Sequence, residues 1–273
     1  MRPGASALLA PSGRLDGVEP LDWGDGDYAR TAAELAPVAD VLLDFAGVQA
    51  GDRVLDVACG TGNAALAAAA RGTAVTGVDP ATGLLEQAIA RAAEQDVEVA
   101  WLEGSAEALP VAGDAFDVAV SVFGVIFSPS PAAAAAEMTR AVHGGGTIAV
   151  TGWNPAGPIS SAGGLIVDAL GLGGGEPRKW GDRDWVAEVL TGAGAMEPRF
   201  ADATLAFTAD SPEAWWRDQE ALHPFWRWGR RQLPAERWAA LRAETIELLS
   251  EANENPAAFR TTSGYLLAAA RVR

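Results

Sequence analysis

The chain has 273 residues and a formal net charge of −16, with 36 acidic against 20 basic side chains. An acidic excess of this size argues against nucleic acid as a partner, since phosphate backbones are held by basic faces. One cysteine excludes an intramolecular disulfide, and two histidines beside it argue against a zinc site or any other metal centre. Residues 1–20, rich in Gly, Pro and Ala, read as a flexible N-terminus. They lack the charged region and apolar run of a secretory signal. The sequence also has no unbroken apolar span of membrane length. The expectation is a cytoplasmic chain without membrane contact.

Residues 28–46 read as two short helices broken at Pro37, with Leu35, Val38, Val41, Leu42 and Phe45 at helical spacing. Strands and helices then alternate up to Thr151, which implies a parallel sheet with right-handed crossovers. Val54-Leu55-Asp56-Val57 is a buried strand, and Ala58-Cys59-Gly60-Thr61-Gly62 a glycine turn. An alanine-rich helix follows, then a second strand, Val75-Thr76-Gly77-Val78, ending in Asp79. Glycines let a backbone approach a ligand closely, and the helix start behind them favours negative charge. An acid at the end of the next strand suits a ribose diol. A nucleoside-containing cofactor is therefore expected. Gly60, Gly62 and Ala65 also satisfy the loose dinucleotide fingerprint, so a nicotinamide or flavin enzyme stays open at this point.

Residues 97–101 read as a third strand, followed by the polar turn Gly104-Ser105-Ala106-Glu107-Ala108-Leu109-Pro110. Residues 114–121 form a fourth strand. Residues 132–136 are plain helix formers, and His143-Gly144-Gly145-Gly146 is a glycine turn into a fifth strand. Beyond Trp153 come loops at 154–158 and 171–177 around a short helix at 159–170. A helix at 182–190 has Asp182 as its N-cap, and residues 197–207 form a strand. Asp210 or Ser211 caps a helix running to Leu222, with Pro212 in its first turn. Residues 234–251 are an amphipathic helix, and residues 261–273 return to the sheet as a last strand.

The motifs from Asp56 to Gly146 resemble, in order and spacing, those of class I S-adenosylmethionine-dependent methyltransferases. The similarity is to the small-molecule branch that includes the ubiquinone/menaquinone methyltransferases. The family pattern is D-x-x-C-G-T-G, V-x-G-x-D, G-D-A-x-x-L-P, F-D-x-V and R-P-G-G. The likeness covers residues 28–151 well and the C-terminal part loosely. Ala58 replaces a usual glycine, Ser105 a usual aspartate, and His143-Gly144 a usual Arg-Pro. The resemblance implies an α/β fold with a doubly wound, seven-stranded, mostly parallel sheet of order 3-2-1-4-5-7-6. Strand 7 would be antiparallel, and helices would roof a substrate pocket. Residues 21–152 would form the cofactor-binding core, and residues 153–273 the roof helices and last two strands.

The implied cofactor is S-adenosylmethionine, with S-adenosylhomocysteine as product. The loop Ala58, Gly60 and Gly62 would hold its methionine end and Asp79 its ribose. Pro80, Ser105 and Ala106 would flank adenine. Because Ser105 stands in for an aspartate, adenine recognition either loses one hydrogen bond or shifts to the Ala106 backbone N–H. Ser121 and Phe123 would line the reacting face, and Tyr28 would close over the cofactor. Asp56, a buried carboxylate, organises the glycine loop or lies near the sulfonium.

His223 is the candidate general base, against a simple helix-capping role. Of ten tryptophans, seven fall between Trp180 and Trp238. Trp153, Trp215, Trp216, Phe225 and Trp226 are candidates for a flat acceptor pocket, with Arg227, Arg230 and Arg231 meeting an acidic group. Core packing and a dimer surface are the other readings of this cluster. The expected partner is a small-molecule acceptor, with an aromatic or polycyclic secondary metabolite as the candidate class, and the chain a monomer or homodimer. Two alternatives remain: a non-methylating relative that uses the fold for cyclisation or binding, and a nicotinamide-dependent oxidoreductase. The sequence has no Tyr-x-x-x-Lys pair to support the latter.

Overall fold

Apolar runs that bury both faces of a strand pair side by side and build one sheet. In the computed structural model, which describes residues 19, 21–172 and 179–273, the strands are β1 (Arg53–Val57), β2 (Ala74–Asp79), β3 (Val99–Glu103), β4 (Phe116–Ser121), β5 (Val142–Trp153), β6 (Ala195–Ala209) and β7 (Phe259–Val272). Their order is β3-β2-β1-β4-β5-β7-β6, as the resemblance implied. The first five strands run parallel, and β7 lies antiparallel to both β5 and β6. The expected flexible segment at 1–20 lies outside the described residues except for Glu19, and so does most of the loop expected at 171–177.

The helices are α1 (Ala29–Ala46), α2 (Asn63–Ala69), α3 (Thr82–Glu94), α4 (Pro131–Ala141), α5 (Pro158–Ala169), α6 (Arg183–Gly192), α7 (Pro212–Leu222), α8 (Pro224–Gln232) and α9 (Ala235–Glu251). One core lies between the sheet and α4 and α6, around Met138, Ile148, Val186 and Leu190. A second lies on the other face, where Val38, Leu42 and Leu43 of α1 and Ala65 of α2 meet Val54 and Val120. A third joins α5, α7, α8 and α9 through Ile166, Trp216, Trp228 and Leu241.

Strand ends shift by a few residues, α8 is a helix that the sequence reading does not assign, and two further elements differ in form. The break expected at Pro37 is absent, and α1 runs through it. A proline removes one backbone bond. Here Leu35 on one side and Val38, Ala39 and Leu42 on the other bury into the same core, which holds the helix together. The glycine turn at 143–146 is absorbed into β5 as a bulge. The register with β4 slips between Phe116 and Val118, and Gly145 adopts φ +89°.

The caps follow local chemistry. Ser130, Asp182 and Ser211 each accept a backbone N–H from the first turn of α4, α6 and α7. Of the two capping residues open at the start of α7, Ser211 is the one used. Glu19 and residues 21–27 lie against the roof before α1. Trp228 Nε1 donates to the Glu19 carbonyl at 2.6 Å, and Asp27 N–H donates to the Leu222 carbonyl at 3.0 Å.

Candidate functional site

The end of β1 is bent into a tight loop. Ala58 takes φ +53°, Gly60 +55° and Gly62 +84° before α2 begins. A left-handed alanine is strained by roughly 1 kcal/mol, which agrees with the glycine usual at position 58 in the family pattern. Gly62 is required for a second reason: a β-carbon there would lie 2.6 Å from Cη2 of Trp101. Gly77 is equally close to the same ring, so Trp101 of β3 lies across both glycines. The Arg91 guanidinium donates to the Thr61 carbonyl at 2.7 Å, to Thr61 Oγ1 at 2.9 Å and to Asn63 Oδ1 at 2.9 Å. Asn63 in turn donates to the Ala32 carbonyl on α1 at 2.7 Å. The loop is thus fixed before any ligand arrives.

Two buried carboxyls support it. Asp56 Oδ2 accepts the Ala65 N–H at 2.9 Å, satisfying a first-turn donor of α2. This is the loop-organising role. Burial, and secondarily the charge of Asp79, pushes Asp56 up to about 7 against the pull of that N–H. Asp79 accepts the Gly60 N–H at 2.8 Å through one oxygen and the Ala81 N–H at 2.8 Å through the other. Burial raises it to about 6.

Both carboxyls line a cavity of about 840 Å³, counted with its open mouth. Of the residues read from the sequence, Tyr28, Asp56, Ala58, Gly60, Asp79, Pro80, Ala106 and Phe123 line it. Gly62, Ser105 and Ser121 do not. Gly62 faces Trp101, and Ser105 closes a tight bridge with Ala108. Ser121 is fully buried between elements: its hydroxyl donates to the Val57 carbonyl at 2.7 Å and accepts the Val125 N–H at 3.0 Å. It is corrected from a lining residue to a tie between β1 and the turn after β4.

The aromatic pocket is also corrected. Trp215, Trp216 and Trp226 are 2%, 0% and 4% exposed and fill the roof core, where the Trp216 and Trp226 rings meet edge to face at 5.0 Å. Large rings on the inner faces of α7 and α8 bury most area by meeting each other. Phe225 packs on Trp226, and Trp153 stacks behind Phe123 at 3.9 Å with an interplanar angle of 3°. None of the five lines the cavity.

The wall is instead made by Trp23, Tyr28, Phe123 and Phe127, with Trp23 4.6 Å from Phe127. Trp23 and Phe127 were missed. A lone Trp in the polar stretch Leu21-Asp22-Trp23-Gly24-Asp25 was the available signal. The roof arginines are paired with carboxylates of the chain itself. Arg227 and Arg231 pair with Asp25, and Arg230 with Glu220.

His223 is not suited to act as a base. It caps α8, with Nδ1 accepting the Phe225 N–H at 3.1 Å, and its ring lies 5.4 Å from Tyr28 and 5.9 Å from Trp23. Part of the residue remains accessible, yet this crowding desolvates the ring and pulls it down to about 3, so it stays neutral. Burial likewise raises Tyr28 far above the usual phenol range. His143 sits at the opposite end of the sheet, 2.8 Å from Asp117. Among the described residues no group of three or more His, Cys, Asp or Glu is placed to hold a metal ion, and no helix is long and apolar enough to cross a membrane.

Comparison with known proteins bears on this geometry. Residues 54–146, which hold the loop, Asp79 and the turn with Ala106, match the family model described as a methyltransferase domain. An uncharacterized protein of Mycobacterium tuberculosis (strain H37Rv) is 40% identical over 173 residues, 60% of this chain and 62% of that protein. The chain thus spans less than two thirds of that relative's length. The demethylmenaquinone methyltransferase of Renibacterium salmoninarum is 34% identical over 110 residues, 40% of this chain and 45% of the enzyme. Among solved structures, the Haemonchus contortus phosphoethanolamine N-methyltransferase 2, in complex with phosphomonomethylethanolamine and S-adenosylhomocysteine, superposes with a TM-score of 0.54 at 19% identity. It covers 87% of this chain and 53% of that one, and shares the fold. The resemblance read from the motifs to class I S-adenosylmethionine-dependent methyltransferases holds in sequence and in fold alike.

Proposed function

We propose that the chain transfers a methyl group from S-adenosylmethionine to a small-molecule acceptor held against an aromatic wall. The observation that carries this is Asp79. It ends β2, fixes the Gly60 N–H and lines the same cavity as the loop. Each carboxylate oxygen has two acceptor positions, and one on each is used by a backbone amide. The second remains for a ribose diol. Pro80, Leu84 and Ala106 offer a flat apolar slot for the base, and the loop from Ala58 to Asn63 the place for the methionine end. The methyltransferase named in Renibacterium and the product-bound Haemonchus enzyme support this choice of cofactor.

The cofactor, when bound, supplies an activated methyl on a sulfonium, so the protein's tasks are positioning and exclusion of water. Phe123 is held in place by its N–H on Thr151 Oγ1 at 2.9 Å and by stacking on Trp153. Trp23, Tyr28 and Phe127 face it across the cavity and offer a planar acceptor an apolar seat. Asp56 and Asp79 give the interior a negative bias, which suits a sulfonium.

Calorimetric titration of S-adenosylhomocysteine into wild type and Asp79→Ala, with NADH as control, tests the reading. Binding that weakens by more than about tenfold in the variant, or about 1.4 kcal/mol, is expected. No binding by the wild type, or tighter binding of NADH, overturns it.

A further inference from the structure

We propose that Glu107 anchors an amino group of the bound ligand in the cavity, with Ser128 steadying it. The inference rests on the cofactor reading above. Three carboxylates line the cavity, Asp56, Asp79 and Glu107, and none of the lining residues is Lys, Arg or His. Asp56 and Asp79 are committed to backbone amides of the loop and its surroundings. Glu107 is not. The hydrogen-bond partner found for it among the described residues is the Ser128 hydroxyl.

That hydroxyl is directed. Ser128 is 3% exposed, and its Oγ accepts the Ser130 N–H at 3.1 Å, so its own proton points to Glu107. The pair is a fixed acceptor. A carboxylate presents about four acceptor positions and no donor, and a single hydroxyl occupies one of them. Its remaining acceptor positions, half-buried in the cavity, cost free energy until a donor reaches them. Arginines of α1 and α8 are engaged elsewhere, Arg227 and Arg231 with Asp25 and Arg30 with Asp218. An anionic ligand group finds no counter-charge here, whereas an N–H group finds a ready acceptor. Glu107 also reaches the cavity from the same turn whose Ser105 does not. Two sources carry this chemistry: the exocyclic amine of the cofactor's purine, and an amine on the methyl acceptor.

Two binding arms on wild type and Glu107→Gln distinguish them. The first compares S-adenosylhomocysteine with S-inosylhomocysteine, which carries a carbonyl in place of the purine amine. The second compares tryptamine with indole-3-propionate on protein saturated with S-adenosylhomocysteine. The wild type is expected to prefer the amine in one arm by roughly tenfold or more, and the glutamine variant to lose most of that preference. The arm that responds names the source. Ser128→Ala keeps the charge but loosens it, and is expected to reduce the same preference by roughly threefold. It provides the readout if Glu107→Gln does not fold. Intact S-adenosylhomocysteine binding with both preferences absent, or unmoved by the substitutions, overturns the assignment alone. Failure of the wild type to bind S-adenosylhomocysteine overturns the cofactor reading and the assignment with it.

Discussion

Replacing Asp56 by asparagine is expected to stabilise the ligand-free protein at neutral pH and to leave it nearly unchanged in acid. Asp56 is 1% exposed and is paired with no cation among the described residues. Burial, followed by the charge of Asp79, raises its carboxyl from 3.8 to about 7. Asp79, raised to about 6, ionises first, and its charge then opposes ionisation of Asp56. Because the folded value lies above the unfolded one, the stability from the neutral carboxyl is full below pH 3.8. It is lost as pH rises through 7. At about 1.4 kcal/mol for each pH unit between these values, the loss is about 4 kcal/mol.

The asparagine side chain of the variant keeps an oxygen for the Ala65 N–H and carries no charge. Urea unfolding at pH 4.5, 6, 7 and 8 reads the difference between variant and wild type. It is expected to grow from about 1 kcal/mol or less to a few kcal/mol in favour of the variant, and to level off above pH 7. A pH-independent difference, or a variant less stable at pH 8, refutes the reasoning. The same substitution is expected to weaken cofactor binding, because the negative bias of the cavity serves the ligand at the cost of the empty fold.

Gly62→Ala places a β-carbon at φ +84° and 2.6 Å from Trp101, so a loss of about 1–3 kcal/mol is expected in urea unfolding. An unchanged midpoint would show that the Trp101 ring yields freely. In Asp25→Ala, Arg227 and Arg231 lose their partner. Burial raises the Asp25 carboxyl, but the two guanidinium hydrogen bonds outweigh it and hold the group below its ordinary value. Its contribution is therefore present above pH 3.8 and fades as pH falls. With the side chain 27% exposed, a loss of about 1 kcal/mol that shrinks in high salt is expected, and a salt-independent loss contradicts an electrostatic clasp. His223→Asn retains a cap for α8 and is expected to leave turnover within about threefold and its pH profile unchanged from 6 to 8. A drop of about 100-fold in a folded variant would restore the base.

The parts of the site legible in the sequence are those set by local backbone demand. Gly60, Gly62 and Asp79 announce themselves because a tight turn into α2 and an acid at a strand end leave few other readings. The order of five motifs then carries the sheet. Pro37 misled because a local rule was outweighed by burial on both sides of it. Ser121 misled for the opposite reason. It stands at a strand end facing the cavity in sequence, but its hydroxyl is consumed by Val57 and Val125. The tryptophans of α7 and α8 carry no mark of which ring faces a ligand and which faces another ring. Asp25 and Arg231 meet across some two hundred residues, and nothing in local composition pairs them.

The division of labour between the halves of the chain follows from where the bonds of segment 19–27 go. Trp228 holds Glu19, Leu222 holds Asp27, and Arg227 and Arg231 hold Asp25, so the backbone and charges of this segment attach to α7 and α8. Trp23 belongs to both sides: its ring packs in the roof core and lies 5.9 Å from His223 at the α7–α8 junction, and it also meets Phe127 in the turn after β4 at 4.6 Å. The cavity is thus closed by a contact between two bodies, the sheet with its fixed glycine loop and the roof with its attached segment. Trp23 meets this wall through ring contacts with Tyr28, Phe127 and His223, whereas the loop side is pinned by hydrogen bonds of Arg91, Asp56 and Asp79. On the cofactor reading proposed above, the hydrogen-bonded loop lies where the cofactor's polar groups would be read, and the aromatic side where an acceptor would enter. Changes at Trp23 are therefore expected to alter which acceptor is admitted, and changes at Asp79 whether the cofactor binds at all.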